Sequence, residues 1–376
     1  MPDEADSPPA VPADPPKEKR FPCAQCGARL VYTPGTQSQT CEYCGHANAI
    51  PQSQADIVEV DFRAKLAELA AAEPTGQISE LTCEACAAKV QKPANVEAFA
   101  CPFCGTDIVT TAISVKHIKP RSLLPFHIDR KAARQSFRDW IRSLWFAPGK
   151  LKKFAQIDDR LNGMYVPYWT YDCDTTTFYT GKRGDDYYVT KTRRVRRGDK
   201  WVTETYQERR TRWTSVSGTV WNSFDDILVI ASHSLPHRYV EKLEPWDLGS
   251  LTPYADEYLS GFQAESYTVE LHQGFGAACK IMDEHIRSSI RSDIGGDHQR
   301  IHAMNVQRDH ITFKHILLPI WICAYRYGRH TYRFLINGRT GEVQGERPWS
   351  WWKISFTVLA AAVLLGGVIA LFAAGR

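Results

Sequence analysis

No G-x-x-x-x-G-K-S/T stretch occurs anywhere in the 376-residue sequence. Without that loop of backbone N–H groups there is no cradle for a nucleotide phosphate, which excludes a P-loop motor as the leading class. The segment GFGAACK, Gly274 to Lys280, comes nearest and lacks the glycine before the lysine. A secretory leader is missing too, because MPDEADSPPAVPADPP at the start holds neither a basic nor an apolar run. A reducing, cytoplasmic setting is therefore expected. A large charge surplus is also absent, and the net charge of +4 names no nucleic-acid partner by itself. His298 and His302 have a chelating spacing but no accompanying glutamate of the metalloprotease kind. Asp283, Glu284 and His285 make an acidic triplet with no nucleotide to serve. No catalytic constellation emerges, and a non-enzyme is expected.

Cysteine, by contrast, is plentiful and patterned. Of eleven cysteines, eight fall into two sets of paired Cys-x-x-Cys with fourteen residues between the pairs. The first set is Cys23, Cys26, Cys41 and Cys44; the second is Cys83, Cys86, Cys101 and Cys104. Each pair places two thiolates on one tight turn, and the spacer suits a hairpin that brings the second pair back to complete a tetrahedron. Gly27, Gly45 and Gly105 follow three of the pairs, where a turn benefits from positive φ, while Ala87 breaks the pattern after Cys86. Four thiolates leave no open coordination position, so two structural Zn2+ ions are expected. Disulfide staples are the alternative, and a reducing compartment disfavours them. Cys173, Cys279 and Cys323 lie among apolar or aromatic neighbours and read as core thiols.

Ile354 to Ala374 carries no charge over twenty-one residues, about 31 Å of helix at ~1.5 Å per residue. That matches a bilayer's hydrocarbon thickness, with Trp349, Trp351, Trp352 and Lys353 at the flank as interfacial anchors. The reading is a single-pass, tail-anchored protein of the cytoplasmic membrane, its N-terminal bulk in the cytoplasm.

The domain plan follows from composition. Residues 1–20 are Pro-, Asp- and Ala-rich and expected to be disordered. Residues 21–52 form the first zinc ribbon, 53–80 a helical linker capped by Asp61, and 81–110 the second ribbon. A mixed α+β body spans 116–347, with helical periodicity through Phe137, Trp140, Ile141, Leu144 and Trp145, and again through Phe275, Cys279, Met282, Ile286 and Ile290. The echo of Val166-Pro167-Tyr168-Trp169 in Leu318-Pro319-Ile320-Trp321 suggests a weak internal duplication. The transmembrane helix, 354–374, completes an α+β fold class with two ribbons and one span.

The most charged stretch runs from Lys182 to Trp213 and reads as a β-hairpin turning at Gly198–Asp199, with Arg193, Arg194, Arg196, Arg197, Arg209, Arg210 and Arg212 on its arms. A solvated, charge-guarded edge comes first among its readings, lipid or protein contact second, and nucleic acid third.

Together with the paired Cys-x-x-Cys ribbons, the segments LWFAPGKLKKFA, VPYWTYD, VEKLEPWDL, IGGDHQRIH and FLINGRTGEVQGERPWSWWKI resemble a family of bacterial tail-anchored zinc-ribbon membrane proteins. Members are often labelled after the primosomal replication helicase, whose nucleotide motif is missing here. The resemblance implies association with SPFH (flotillin-like) and phage-shock-type membrane-stress proteins. The expected function is a non-catalytic, membrane-anchored zinc-ribbon scaffold that docks such partners. A membrane-tethered nucleic-acid-binding protein is the alternative, and a helicase-associated replication protein a distant third.

Overall fold

The computed structural model describes residues 21–52, 57–71, 80–82, 89–91, 96–100, 107–109, 118–148, 161–327, 330–347 and 349–374. In chain order, β1 (Leu30–Tyr32), β2 (Ser38–Cys41) and β3 (Ala47–Ala49) form a small antiparallel sheet. β4 (Val60–Asp61) leads into α1 (Phe62–Ala71). β5 (Glu80–Thr82) pairs with β6 (Lys89–Gln91), and β7 (Val96–Ala100) with β8 (Asp107–Val109). After β9 (Ser122–Leu123) and α2 (Arg130–Ser143) come two very long strands, β10 (Asn162–Arg197) and β11 (Lys200–Ile230). The short elements α3 (His237–Val240), β12 (Thr252–Pro253) and β13 (Gln263–Glu265) precede α4 (Leu271–Ile294). Then follow β14 (His298–Tyr327), β15 (His330–Asn337), β16 (Val343–Gly345) and α5 (Trp351–Ala374).

Three strands of thirty residues or more decide the architecture. β10 and β11 form one hairpin paired from Tyr168–Ile230 out to Arg197–Lys200. β14 lies antiparallel on the other side of β10, from Asn162–Ile322 to Gly184–His298, and β15 and β16 extend the sheet beyond it. Buried and exposed residues alternate along β10, with Cys173, Thr175, Thr177 and Tyr179 inward and Asp174, Phe178 and Thr180 outward. That period of two is the strand signature. The echoing tetrapeptides lie side by side, Val166 opposite Leu318.

α4 covers the inward face. Its buried residues Gly274, Ala278, Met282, Ile286, Ile290 and Ile294 recur every fourth position. A Cβ on Gly274 would sit 2.5 Å from the Tyr171 hydroxyl oxygen, so this close approach requires glycine. Each wholly buried Ile or Met side chain contributes about 1.5–3 kcal/mol. Gly295, at φ 63°, ends the helix. α2 is N-capped by Asp129, which accepts from the Ala132 amide at 2.7 Å. Its Phe137 stacks on Phe334 of β15, ring centroids 4.0 Å apart, whereas Trp145 lies past the helix and is exposed. α1, read as a linker, lies against the sheet: Phe62 is buried beside Tyr171 and Phe275, and Arg63 donates to the Arg308 carbonyl at 3.1 Å.

Two expectations are corrected. The fold is sheet-rich, built on one strongly elongated sheet, rather than a balanced α+β body. Threonine-, tyrosine- and arginine-rich segments that lack a continuous apolar face extend the strands far past the core. The second correction concerns the tail. Among the described residues no helix is long and apolar enough to cross a membrane. The expected transmembrane helix at 354–374, the tail-anchored membrane assignment and the single-pass cytoplasmic-membrane localisation are therefore not supported. Lys353, expected to reach lipid phosphates, instead donates to the carbonyls of Trp145 at 3.1 Å and Ala147 at 2.8 Å. It ties the start of α5 to the segment after α2.

Candidate metal centre

The first cysteine set converges. The sulfurs of Cys23, Cys26, Cys41 and Cys44 lie within 4.8 Å of one another, with Cys23 Sγ 3.7 Å from Cys44 Sγ and Cys26 Sγ 3.5 Å from Cys41 Sγ. Tetrahedral coordination with Zn–S of about 2.3 Å puts neighbouring sulfurs about 3.8 Å apart, so the donor set fits a metal ion. A disulfide needs about 2.05 Å, and all four thiols are free.

Local geometry explains the convergence. Gly27 donates to the Cys23 carbonyl at 2.8 Å and Gly45 to the Cys41 carbonyl at 2.9 Å, closing one tight turn after each pair. Both glycines have positive φ, 74° and 72°. Backbone amides also point at sulfur, Gln25 N–H to Cys23 Sγ at 3.4 Å and Cys44 N–H to Cys41 Sγ at 3.5 Å. Burial raises the Cys23 thiol, yet amide donors from Cys26 and Gln25 outweigh it and bring it down to about 6. Cys41 is lowered, first by the Cys44 amide. Cys26 keeps a favourable amide from Ala28, but the neighbouring sulfurs and burial push it up to about 12. Such a set sheds all its protons when a cation joins it, and metal affinity should rise with pH.

The ribbon is fixed to the body. Tyr32 is buried, donates its hydroxyl to the Phe126 carbonyl at 3.1 Å and its amide to the Ser260 carbonyl at 3.0 Å, and meets Tyr258 edge-on. Ser260 Oγ returns a bond to the Leu30 carbonyl at 2.5 Å, and Gln39 donates to the Glu257 carbonyl at 2.9 Å. Cys23 and Cys41 are buried; Cys26 and Cys44 face outward beside Tyr43, which is 86% exposed.

The second set, Cys83, Cys86, Cys101 and Cys104, lies outside the described residues. The strand leading to Cys101 is described, and β7 pairs with β13, Ala98 opposite Ala264. Other residues singled out in the sequence disperse. His298 sits on a strand, 3.2 Å from Asp186, and Asp283 pairs with Arg308 at 2.5 Å. Burial pushes the Cys173 thiol up to about 11, the opposite of an activated nucleophile.

A cluster that no motif announced lies next to Asp172, where the pairing of β10 with β11 and its pairing with β14 are both irregular. Oxygens of Glu59, Asp172 and Asp225 approach within 4.8 Å of one another, and Lys314 Nζ lies 2.7 Å from Asp226 and 3.1 Å from Glu59. These acids come from three separate stretches and the lysine from a fourth, so only long-range pairing unites them. Asp172 accepts from the Asp226 amide at 2.6 Å and from Thr312 Oγ1 at 3.0 Å; burial pushes it up to about 6. A carboxyl raised in the folded state adds stability below its unfolded value near 4 and loses it as pH rises through 6. Asp172→Asn cannot ionise and should lose that slope. The difference in Tm, variant minus wild type, should therefore climb between about pH 4 and pH 6.5 and then level off. A flat difference across that range would disprove the assignment.

No family model matches the chain, and no solved structure matches it. A curated relative, the uncharacterized protein YdjG of Bacillus subtilis strain 168, is 28% identical over 256 residues, covering 66% of this chain and 70% of its own length. Its name assigns no activity.

Proposed function

We propose that the protein is a non-catalytic zinc-ribbon scaffold whose metal-shaped knuckles dock a partner protein. The observation that carries this reading is the two-sidedness of the first ribbon. One side is bonded to the body through Tyr32, Leu30 and Gln39, while Cys26, Tyr43 and Cys44 face solvent. Zinc at Cys23, Cys26, Cys41 and Cys44 is the ion that a closed tetrathiolate set favours, and it would hold the exposed turns rigid. A second zinc belongs to Cys83, Cys86, Cys101 and Cys104 under the same reading. The resemblance noted in the sequence points to SPFH-type or phage-shock-type stress proteins as the partner class. An exposed aromatic on a fixed turn suits a hot spot, because it adds buried area at low cost in conformational freedom.

The test is co-purification of an SPFH-type protein of the same cell with tagged full-length protein, wild type against Tyr43→Ala. Recovery should fall at least ~10-fold with metal content unchanged, equivalent to about 1.4 kcal/mol. Equal recovery with both proteins would move docking off this ribbon.

A further inference from the structure

The third strand stops pairing at Gly184–His298, but the β10–β11 hairpin continues. Asp185–Arg197 and Lys200–Arg212 thus project as a two-stranded arm of thirteen residues a side, about 43 Å at ~3.3 Å per residue. Between Lys191 and Glu204 six basic residues meet two acidic ones, a surplus as large as the +4 of the entire chain. The remainder of the molecule is electrically balanced, and its net charge sits at the far half of the arm.

The register divides that arm into unlike faces. On one, basic groups share carboxylates: Arg193 and Arg197 both pair with Glu204, at 3.1 and 3.6 Å, and Lys191 and Arg210 both pair with Glu208, which leaves one positive charge over in each group. On the other, Arg194 lies opposite Thr203, Arg196 opposite Trp201, and Thr192 opposite Thr205, and between Thr190 and Gln207 the one carboxylate that reaches this face is Asp199 of the turn, 3.6 Å from Arg196. Trp201 is 68% exposed. Guanidinium, hydroxyl and indole N–H groups are donors, and an indole also stacks on planar rings. A guarded edge needs only scattered charge, whereas this face has a single carboxylate, at the turn, and is supplied with donors and an aromatic surface.

From this geometry we infer that the arm binds nucleic acid, laying its acid-poor Arg194–Arg196–Trp201 face along the phosphates of a duplex. A two-stranded ribbon fits the major groove, about 12 Å wide, and the arm is longer than one ~34 Å turn of DNA. Arg194 and Arg196 hold phosphates from that face, Arg197 and Lys200 reach them around the turn from the other face, and Trp201 packs on sugar or base at the tip. This goes beyond protein docking at the ribbon and uses a different part of the molecule.

The experiment is fluorescence anisotropy of full-length protein with a labelled mixed-sequence duplex of about 30 base pairs, from ~50 to ~200 mM salt. The variant Arg194→Gln, Arg196→Gln, Arg197→Gln, Lys200→Gln should bind at least ~10-fold more weakly at the low end. Its log–log salt slope should shrink by about 3 to 4, because each lost phosphate contact retains about one counterion. Trp201→Ala, a single exposed change that leaves folding intact, should weaken binding with the slope unchanged. Absence of duplex binding by wild type at ~50 mM salt would overturn the inference, as would equal binding by the four-residue variant. Competition by polyglutamate as effective as by unlabelled duplex would also overturn it, assigning the arm to acidic protein surfaces.

Discussion

Cys41→Ser should remove one metal ion per chain and release the first ribbon from the body. Cys41 is 1% exposed, so no water can replace its sulfur, and it shares β2 with Gln39, which bonds the Glu257 carbonyl. Its loss leaves three thiolates and a buried hydroxyl. A ribbon of about thirty residues has too little apolar core to stay folded without its ion. The readout is amide exchange at Tyr32 and Gly35, whose N–H groups bond the Ser260 and Phe126 carbonyls. Exchange there should accelerate ~100-fold or more, about 2.7 kcal/mol of lost local stability, while amides of β10 and β14 keep their protection. Full metal content in the variant, or unchanged exchange at both amides, would refute the metal centre.

The second large effect is expected at Trp169. It is wholly buried, donates its indole N–H to the Val269 carbonyl at 2.9 Å, and packs against Tyr267, Phe313 and His315 at centroid distances of 4.9, 5.9 and 4.7 Å. Trp169→Ala opens a large cavity and strips a partner from a buried carbonyl, a combination worth about 3–5 kcal/mol. The urea midpoint should drop while the m-value stays unchanged. Trp169→Phe keeps most of the volume and should lose less. A loss under ~1 kcal/mol for the alanine variant would mean that the α4–sheet core is not where stability resides.

The first cysteine cluster was readable in the sequence because its members obey local spacing: Cys23 with Cys26, Cys41 with Cys44, and the glycines that turn the chain after each. The helices α2 and α4 were also legible, since Phe137 with Ile141 and Met282 with Ile286 recur at helical spacing and Gly295 ends the second. The turn at Gly198–Asp199 announced its hairpin. Strand length was not legible. Beyond Gly184 the hairpin has no core to face, so no apolar alternation marks its extent, and cross-strand contacts alone maintain it. The carboxylates around Lys314 and the seat of Tyr32 on Ser260 and Phe126 were hidden for a related reason. Each joins residues more than fifty positions apart in sequence, and nothing local encodes such pairings. The tail was misread from its run of uncharged residues, which takes no account of Lys353 bonding Trp145 and Ala147.

The place where the arm leaves the body has a mechanical consequence. β14 begins at His298 and α4 ends at Ile294, so the third strand and the covering helix both stop within a few residues of Gly184. Asp186 clamps that root: it accepts from Thr211 Oγ1 at 2.6 Å and faces Arg209 and His298 at 3.1 and 3.2 Å, while its own amide bonds Asp297 at 2.7 Å. The arm is thus a cantilever fixed at one end, and bending stress collects at the step from three strands to two. A rotation of about 10° at the root carries the tip sideways by roughly 7–8 Å over its ~43 Å length. Loosening the root with Asp186→Ala would widen the arc swept by Trp201 without altering a single residue at the tip.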